Sequence, residues 1–180
     1  MKTIIFKTLG LLIFIFLVFG CASGKDFSAS KDKQGNLIGK LSRKHLEQEP
    51  YASDWFNDFY SYYKLDSSVV TQLKKYLKQV KIIGFMGTWC SDSMREIPTF
   101  YKLLDQADFN FKNLEIFGLD RNKKGKGLEK GYNIIRVPTL IFYKNGREIG
   151  RFVEHPLNDS TIEADILKIV SGKPYKHPYE

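Results

Sequence analysis

The chain has 180 residues, of which 43% are hydrophobic, and carries a formal net charge of +8 at pH 7. That length suits one compact domain with extensions, and it allows a hydrophobic core without disulfide staples. The three histidines, His45, His155 and His177, show no metal-ligand spacing. We therefore predict no metal site and no cofactor.

The first twenty residues have the form of a secretory signal peptide. Residues 1–7 carry two lysines and no acidic residue, and residues 9–19 (LGLLIFIFLVF) form an apolar run. That run is shorter than the roughly 20 residues that a spanning helix needs. An uncleaved N-terminal anchor is the alternative interpretation. Either segment would hold the domain at a membrane outside the cytosol, where nucleic acid is not an expected partner.

The end of this segment carries a second signal. Residues 18–21 (VFGC) resemble the lipobox of bacterial lipoproteins, in which the cysteine receives a lipid and becomes the new N-terminus. The resemblance implies a signal peptide at residues 1–20 and lipid attachment at Cys21. It also implies a domain anchored by lipid to a membrane of the bacterial cell envelope, facing the periplasm or the exterior.

Small and polar residues follow the lipobox. Residues 22–35 read as a flexible tether, so we predict that residues 21–50 are a lipidated N-terminus and polar tether. Residues 36–50 are ambiguous, because NLIGKL could form a short strand and Ser42 could cap a short helix.

Aromatic residues dominate the next segment. Tyr51, Trp55, Phe59 and Tyr63 recur at every fourth position, which predicts a helix with an aromatic stripe. Such a stripe usually packs into a core, and an exposed peptide-docking face is the alternative.

From residue 66 onward the patterns alternate between helix and strand. Apolar runs too short for helices predict buried strands, and Asn145-Gly146 is a strong hairpin signal. The predicted order is a helix capped at residues 66–68, a strand at 81–86, a helix at 91–106, strands at 114–119, 137–143 and 147–153, and a last helix that begins at a capping box in residues 160–163 and ends at Gly172. This order predicts an α/β fold with a mixed sheet.

Four local features stand in order within this pattern. Residues 89–90 (WC) lie at a strand-to-helix junction, and Pro98 follows eight residues after the cysteine. Residues 137–139 (VPT) open a strand, and residues 140–150 form the hairpin. Together they resemble the thioredoxin family over residues 69–170, in which the VPT segment is a cis-proline loop. The closest resemblance in kind is to thioredoxin-like lipoproteins of bacterial envelopes.

The resemblance implies an architecture and a site. It implies a thioredoxin-like domain at residues 51–174 with a helical N-terminal extension, a central mixed sheet flanked by helices, and a C-terminal tail at 175–180. A thiol at a helix N-terminus faces unpaired N–H groups that favour the nucleophilic thiolate. The predicted catalytic residues are Cys90, Ser93 and Trp89, and the predicted substrate-binding residues are Val137, Pro138, Arg136 and Thr88.

This chain departs from the family at the position of the second, resolving cysteine. Ser93 stands there, so an internal disulfide with Cys90 is excluded. The serine hydroxyl could donate to the thiolate or simply cap the helix. Gly84 stands where thioredoxins keep a buried aspartate, and Ile116 where they keep its lysine partner. That pair serves resolution, so its loss is consistent with a single thiol.

Charged residues near Cys90 also affect its chemistry. Asp92 in the first helical turn opposes a thiolate, and Arg95 or Arg136 could offset it. The basic stretch at residues 121–126 is either a solvated loop or a positive rim that attracts acidic partners.

Two functions follow as hypotheses, so enzymatic activity stays open at this stage. The first is a lipid-anchored, monothiol exchange protein that reacts with protein thiols or disulfides of the envelope and is released by an external thiol. The second is a non-catalytic thioredoxin-fold module that docks an extended partner segment, with a dispensable thiol.

Overall fold

The computed structural model describes residues 26–180. The predicted signal peptide and the lipid-attachment residue Cys21 lie outside the described residues. None of the helices within residues 26–180 combines the length and apolar character needed to cross a bilayer.

Six strands and five α-helices form the described part of the chain. The strands are β1 (Ser30–Lys31), β2 (Leu37–Leu41), β3 (Val80–Met86), β4 (Leu114–Gly118), β5 (Thr139–Lys144) and β6 (Arg147–Val153). The helices are α1 (Arg43–Leu46), α2 (Asn57–Tyr62), α3 (Ser67–Tyr76), α4 (Ser91–Gln106) and α5 (Ile162–Ser171), with a π-helical turn at Ala52–Phe56. The predicted elements from residue 66 onward are therefore present, and the boundaries predicted for the strands and for α4 differ from the observed ones by at most two residues.

The strands form one mixed sheet in the order β1-β2-β4-β3-β5-β6. The central strand β3 runs parallel to β4 and antiparallel to β5, and β5 pairs with β6 through the predicted Asn145-Gly146 hairpin. A parallel β3–β4 pair needs a crossover, and α4 supplies it. The N-terminus of α4 therefore follows directly from the end of the central strand, which is where Cys90 lies.

Local capping explains where the helices begin and end. The Asp66 side chain accepts from the N–H groups of Ser68 and Val69 at the start of α3. Thr161, rather than the predicted Ser160, caps α5 and accepts from Ala164. Gly172 ends α5 with a positive φ of 76°, as the sequence predicts.

Two apolar clusters lie on opposite faces of the sheet, because side chains alternate along β3. Ile82 and Met86 face the larger cluster, which the helices cover. Ile83 and Phe85 face the smaller cluster, which includes Val137 and is covered by Trp89 and by side chains of the irregular segment 119–136. The prediction of a mixed sheet flanked by helices is confirmed, and the smaller cluster lies directly beneath the site.

The predicted polar tether is wrong for residues 30–50, whereas the alternative of a short strand in NLIGKL followed by a short helix capped at Ser42 is confirmed. Strand β2 pairs antiparallel with β4, and Leu37, Leu41 and Leu46 are buried in the main core. Leu41 pairs with Ile116, which lies far away in sequence, and the composition of the segment does not indicate this contact. The folded domain therefore begins earlier than the predicted residue 51.

The aromatic segment packs mainly into the core. Tyr51, Trp55 and Phe56 are buried, while Phe59 is 38% and Tyr62 81% exposed. The π-helical turn rotates the chain between residues 52 and 56, so a strict four-residue stripe does not continue through the whole segment.

Candidate active site

Cys90 occupies the N-cap position of α4 and is half-buried. Its N–H donates to the carbonyl of Gly87 at 3.0 Å, and its own carbonyl accepts from the N–H of Met94 at 2.9 Å. Its Sγ lies 3.2 Å from the carbonyl oxygen of Val137, to which the thiol donates. The thiol at the N-cap of α4 is therefore hydrogen-bonded to the loop that contains Pro138.

The loop that contacts the sulfur has the predicted geometry. The Val137–Pro138 peptide bond is cis. Thr139 closes the loop by donating from its hydroxyl to the carbonyl of Arg136 at 2.7 Å. Val137 is 3% exposed because its side chain fills the smaller core cluster. Two elements far apart in sequence, the start of α4 and the start of β5, are thereby held against each other at the thiol.

Trp89 lies half-buried over the loop beside Cys90. Its indole N–H donates to the carbonyl of Leu119 at 2.8 Å, just beyond the end of β4. Gly87 makes this position possible, since a Cβ there would lie 2.5 Å from the indole ring. The tryptophan therefore covers one side of the Cys90 turn and ties it to the neighbouring strand.

Ser93 is fully buried in the first turn of α4. Its Oγ accepts from the N–H of Gly87 at 3.2 Å. Within residues 26–180 that hydroxyl makes no hydrogen bond to the Cys90 sulfur. The geometry thus assigns the serine to the support of the turn before Cys90.

Thr88 also serves the scaffold. It is 5% exposed, and its Oγ1 accepts from the N–H of Leu37 at 3.0 Å. This bond connects β2 to the active-site turn, so the threonine hydroxyl is already engaged. The predicted substrate-binding residue Thr88 therefore lies at the site but beneath its surface.

An apolar contact replaces the charge pair that the family keeps behind the site. Gly84 in β3 lies directly across from Ile116 in β4. A Cβ on Gly84 would lie 2.5 Å from Cδ1 of Ile116, so the isoleucine fills the space of the missing side chain. The two positions that were aligned with the family's aspartate and lysine are thus in contact in this structure.

Arg95 neutralises the acidic residue nearest the thiol. Its guanidinium contacts Asp92 and Glu96, each at 2.7 Å. Burial raises the pKa of the Glu96 carboxyl, and the contact with Arg95 offsets this only in part. Of the two arginines that the sequence offered as partners of Asp92, the structure selects Arg95.

Arg136 has a different partner, which sequence reasoning missed. Its guanidinium carbon lies 5.3 Å from the ring centroid of Tyr179, in the predicted C-terminal tail. His177 in that tail is 9% exposed, and its Nδ1 accepts from the N–H of Tyr179 at 3.2 Å. A contact across more than 40 residues leaves no local signal in the sequence.

The basic stretch at residues 121–126 divides into separate roles. Lys126 donates to the carbonyl of Ser28 at 2.7 Å, and Lys124 lies 4.0 Å from Glu129. Arg121 instead lies over the indole of Trp89, with 5.3 Å between its guanidinium carbon and the ring centroid. Only this last residue is brought against the Cys90 turn.

No group of three or more His, Cys, Asp or Glu side chains that could hold a metal ion occurs within residues 26–180. Cys90 is the sole cysteine of that range. The chemistry that the arrangement itself offers is attack by one sulfur on a sulfur of another molecule.

Comparison with known proteins places this geometry in a family. A family model described as Thioredoxin matches residues 44–165. Thioredoxin-2 of Saccharomyces cerevisiae is 29% identical over 72 residues, covering 40% of this chain and 64% of the yeast protein. A thioredoxin-like protein of Acanthamoeba polyphaga mimivirus is 27% identical over 77 residues, covering 42% of this chain and 53% of the viral protein.

The chain thus spans somewhat more than half of the length of these curated relatives. A crystal structure of a protein of unknown function from Pseudomonas aeruginosa is similar with a TM-score of 0.53 and 16% identity, covering 69% of this chain and 87% of that chain. That similarity shows the fold. Because the family model matches more than half of the chain, and the cis-proline loop meets the cysteine as the resemblance implied, the chain belongs to the thioredoxin family.

Proposed function

We propose that the protein is a membrane-anchored, monothiol thiol–disulfide exchange protein of the bacterial cell envelope. The thioredoxin-like fold supports a redox-type function in general, with protein thiols or disulfides as partners. The observation that carries the finer proposal is the contact between Cys90 Sγ and the Val137 carbonyl at a helix N-terminus.

Substrate binding would change the hydrogen bonding of the Cys90 sulfur. An extended substrate segment that pairs with the backbone of Val137 would donate an N–H to its carbonyl. That N–H would compete with the thiol for the carbonyl oxygen and weaken the hydrogen bond that holds the Cys90 proton. Docking and activation are thereby linked through one carbonyl oxygen.

The exchange step needs only one protein sulfur. The Cys90 thiolate attacks one sulfur of a substrate disulfide, a new Cys90–substrate disulfide forms, and the other substrate sulfur leaves as a thiolate that takes up a proton from water. Because Ser93 cannot attack that disulfide, a second thiol, from the same substrate or from outside, must do so and regenerate the Cys90 thiolate. A second thiol of the substrate that attacks the substrate sulfur of this disulfide gives isomerisation. Net reduction takes two outside thiols: the first attacks the Cys90 sulfur and releases the reduced substrate, and the second attacks the resulting disulfide, frees the Cys90 thiolate and leaves the two outside sulfurs joined as a disulfide.

The alkylation rate of Cys90 tests this proposal. The full chain in detergent is treated with iodoacetamide at pH 7, and the tryptic peptide covering residues 82–95 is quantified by mass spectrometry, so that Cys21 does not contribute. We expect a rate about tenfold above that of the free peptide, because the N–H groups at a helix N-terminus stabilise negative charge on an attacking sulfur. The free peptide of the same sequence is the matched control.

A folded chain that reacts no faster than its own peptide would contradict the proposal. That result, together with a Cys90→Ala protein that keeps its biological role, would favour the alternative of a binding module with a dispensable thiol.

The anchor is a separate part of the proposal and has its own test. Growth with a labelled fatty acid should label the wild-type chain and not a Cys21→Ala variant. Unlabelled wild-type protein that still sediments with membranes would instead support an uncleaved N-terminal anchor.

A further inference from the structure

Two arginines belong to the segments around Cys90, and each lies over an aromatic ring. Arg121 lies over the indole of Trp89, and Arg136 lies over the ring of Tyr179, both at 5.3 Å from guanidinium carbon to ring centroid. Such cation–π contacts orient a guanidinium without neutralising its charge. Both arginines are otherwise exposed.

These arginines belong to the two elements that meet at the sulfur. Trp89, whose indole ring lies under the Arg121 guanidinium, is the residue before Cys90. Arg136 is the residue before Val137, whose carbonyl lies 3.2 Å from Sγ. One arginine is thus attached to the helix side of the sulfur, through the Trp89 ring, and the other belongs to the loop that contacts it.

Neither guanidinium forms a salt bridge with a carboxylate within the described residues. Three other arginines each contact at least one Asp or Glu side chain at 2.6–2.7 Å, namely Arg43, Arg95 and Arg151. Among residues 26–180, no Asp or Glu side chain lies within 4.0 Å of Arg121 or Arg136. A planar guanidinium has a fork of donors that matches a carboxylate in two parallel hydrogen bonds.

We propose that Arg121 and Arg136 bind carboxylates that flank the reacting sulfur of the substrate. This inference rests on the proposed exchange function and names its substrate class, a disulfide or thiol with negatively charged groups next to the sulfur. An acidic cysteine-containing peptide and a small carboxylate-bearing thiol share this chemistry. Tyr179 is a positioning residue that holds Arg136 toward the sulfur.

The arginines take no part in the covalent step. Cys90 still forms one sulfur–sulfur bond as the substrate bond breaks, and the displaced sulfur leaves as a thiolate. Carboxylate binding raises the fraction of encounters in which the substrate sulfur lies next to Sγ.

Matched disulfide probes test the proposal on the full chain in detergent. Two peptides with a single cysteine, flanked by Asp and Glu in one and by Asn and Gln in the other, are presented as disulfides with the same small leaving thiol. Glutathione disulfide and hydroxyethyl disulfide form the corresponding small pair, with and without carboxylates. The readout is the second-order rate of mixed-disulfide formation on the tryptic peptide 82–95.

We expect the charged probe of at least one pair to react faster, and Arg121→Gln or Arg136→Gln to reduce that preference by about two- to fivefold each. The preference should also fall as salt increases from about 0.01 to 1 M. Preference within the peptide pair alone assigns the arginines to a protein substrate, and preference within the small pair alone assigns them to the resolving thiol.

Arg147→Gln is the matched control, because this exposed arginine lies at the end of the sheet remote from Cys90. Arg147 opens β6 and pairs with Lys144, which in turn pairs with the start of β3. It should leave the preference unchanged. A wild-type protein without preference in either pair, or Arg121 and Arg136 variants that keep it, would overturn this inference alone. A Cys90 inert toward all four probes would overturn the exchange function and this inference with it.

The charge preference of Tyr179 variants distinguishes a positioning role of the ring from a role in packing alone. Tyr179→Trp should keep the charge preference, because indole binds cations well, whereas Tyr179→Leu should lose as much preference as Arg136→Gln. Equal preferences in the Trp and Leu variants would show that the ring does not position Arg136.

Discussion

Replacing Ser93 by alanine isolates the role of the residue that stands in place of a second cysteine. The Ser93 side chain is fully buried, and its Oγ accepts from the N–H of Gly87 at 3.2 Å. Alanine would leave that buried N–H without a partner. Such an unsatisfied group costs about 1–3 kcal/mol of the free energy of unfolding.

Urea denaturation followed by tryptophan fluorescence measures this loss. With a denaturant slope of about 2 kcal/mol per M, the midpoint should fall by about 0.5–1.5 M. Ser91→Ala is the matched control, because Ser91 is exposed on the same helical turn. Its effect should stay within about 0.5 kcal/mol.

The alkylation rate of Cys90 should meanwhile change little in Ser93→Ala, since the hydroxyl bonds to Gly87 and not to the sulfur. A variant of wild-type stability in which Cys90 alkylation slows severalfold would refute this reasoning. It would show that the serine acts on the thiolate instead of the turn.

Three further predictions concern the scaffold around the site. Thr88→Val should cost about 1–3 kcal/mol of the free energy of unfolding, read from the urea midpoint, because the N–H of Leu37 loses its acceptor; a midpoint equal to that of the wild type would contradict this. Gly84→Asp should cost about 3–5 kcal/mol in the same assay, since it places an unpaired carboxylate against Ile116, and a stable variant would show that water reaches this place. Burial raises the pKa of the Glu96 carboxyl, so the folded protein binds this proton more tightly than the unfolded chain does. Ionisation of Glu96 therefore lowers the free energy of unfolding as pH rises above the ordinary pKa of about 4.5. Glu96→Gln should flatten the pH dependence of the urea midpoint in that window, and an unchanged slope would assign this pH dependence to another group.

Local patterns explain why much of the fold could be predicted from the sequence. The predicted bounds of α4 and β6 coincide with the observed ones, because α4 has a regular apolar period and β6 follows the Asn145-Gly146 hairpin signal. The meeting of Cys90 with the Val137 carbonyl followed from the family resemblance and not from periodicity.

Long-range contacts explain what the sequence could not predict. Strand β2 has only five residues, and its partner β4 begins at Leu114, so the local sequence leaves a short strand and a tether as alternatives. The sequence suggests that Thr88 binds substrate and that the Ser93 hydroxyl could stabilise the thiolate. Both hydroxyl oxygens instead accept hydrogen bonds from backbone N–H groups. A side chain near a reactive group can serve the turn that holds it, and only coordinates separate the two roles.

The central claim is that Cys90 bonds transiently with foreign cysteines and needs another thiol for release. Acid quenching and alkylation of intact cells, followed by non-reducing electrophoresis, measures this directly. We predict complexes of higher mass that form with the wild-type chain, disappear on reduction and are absent from a Cys90→Ser variant that retains Cys21. Identical band patterns for the two chains would contradict the claim.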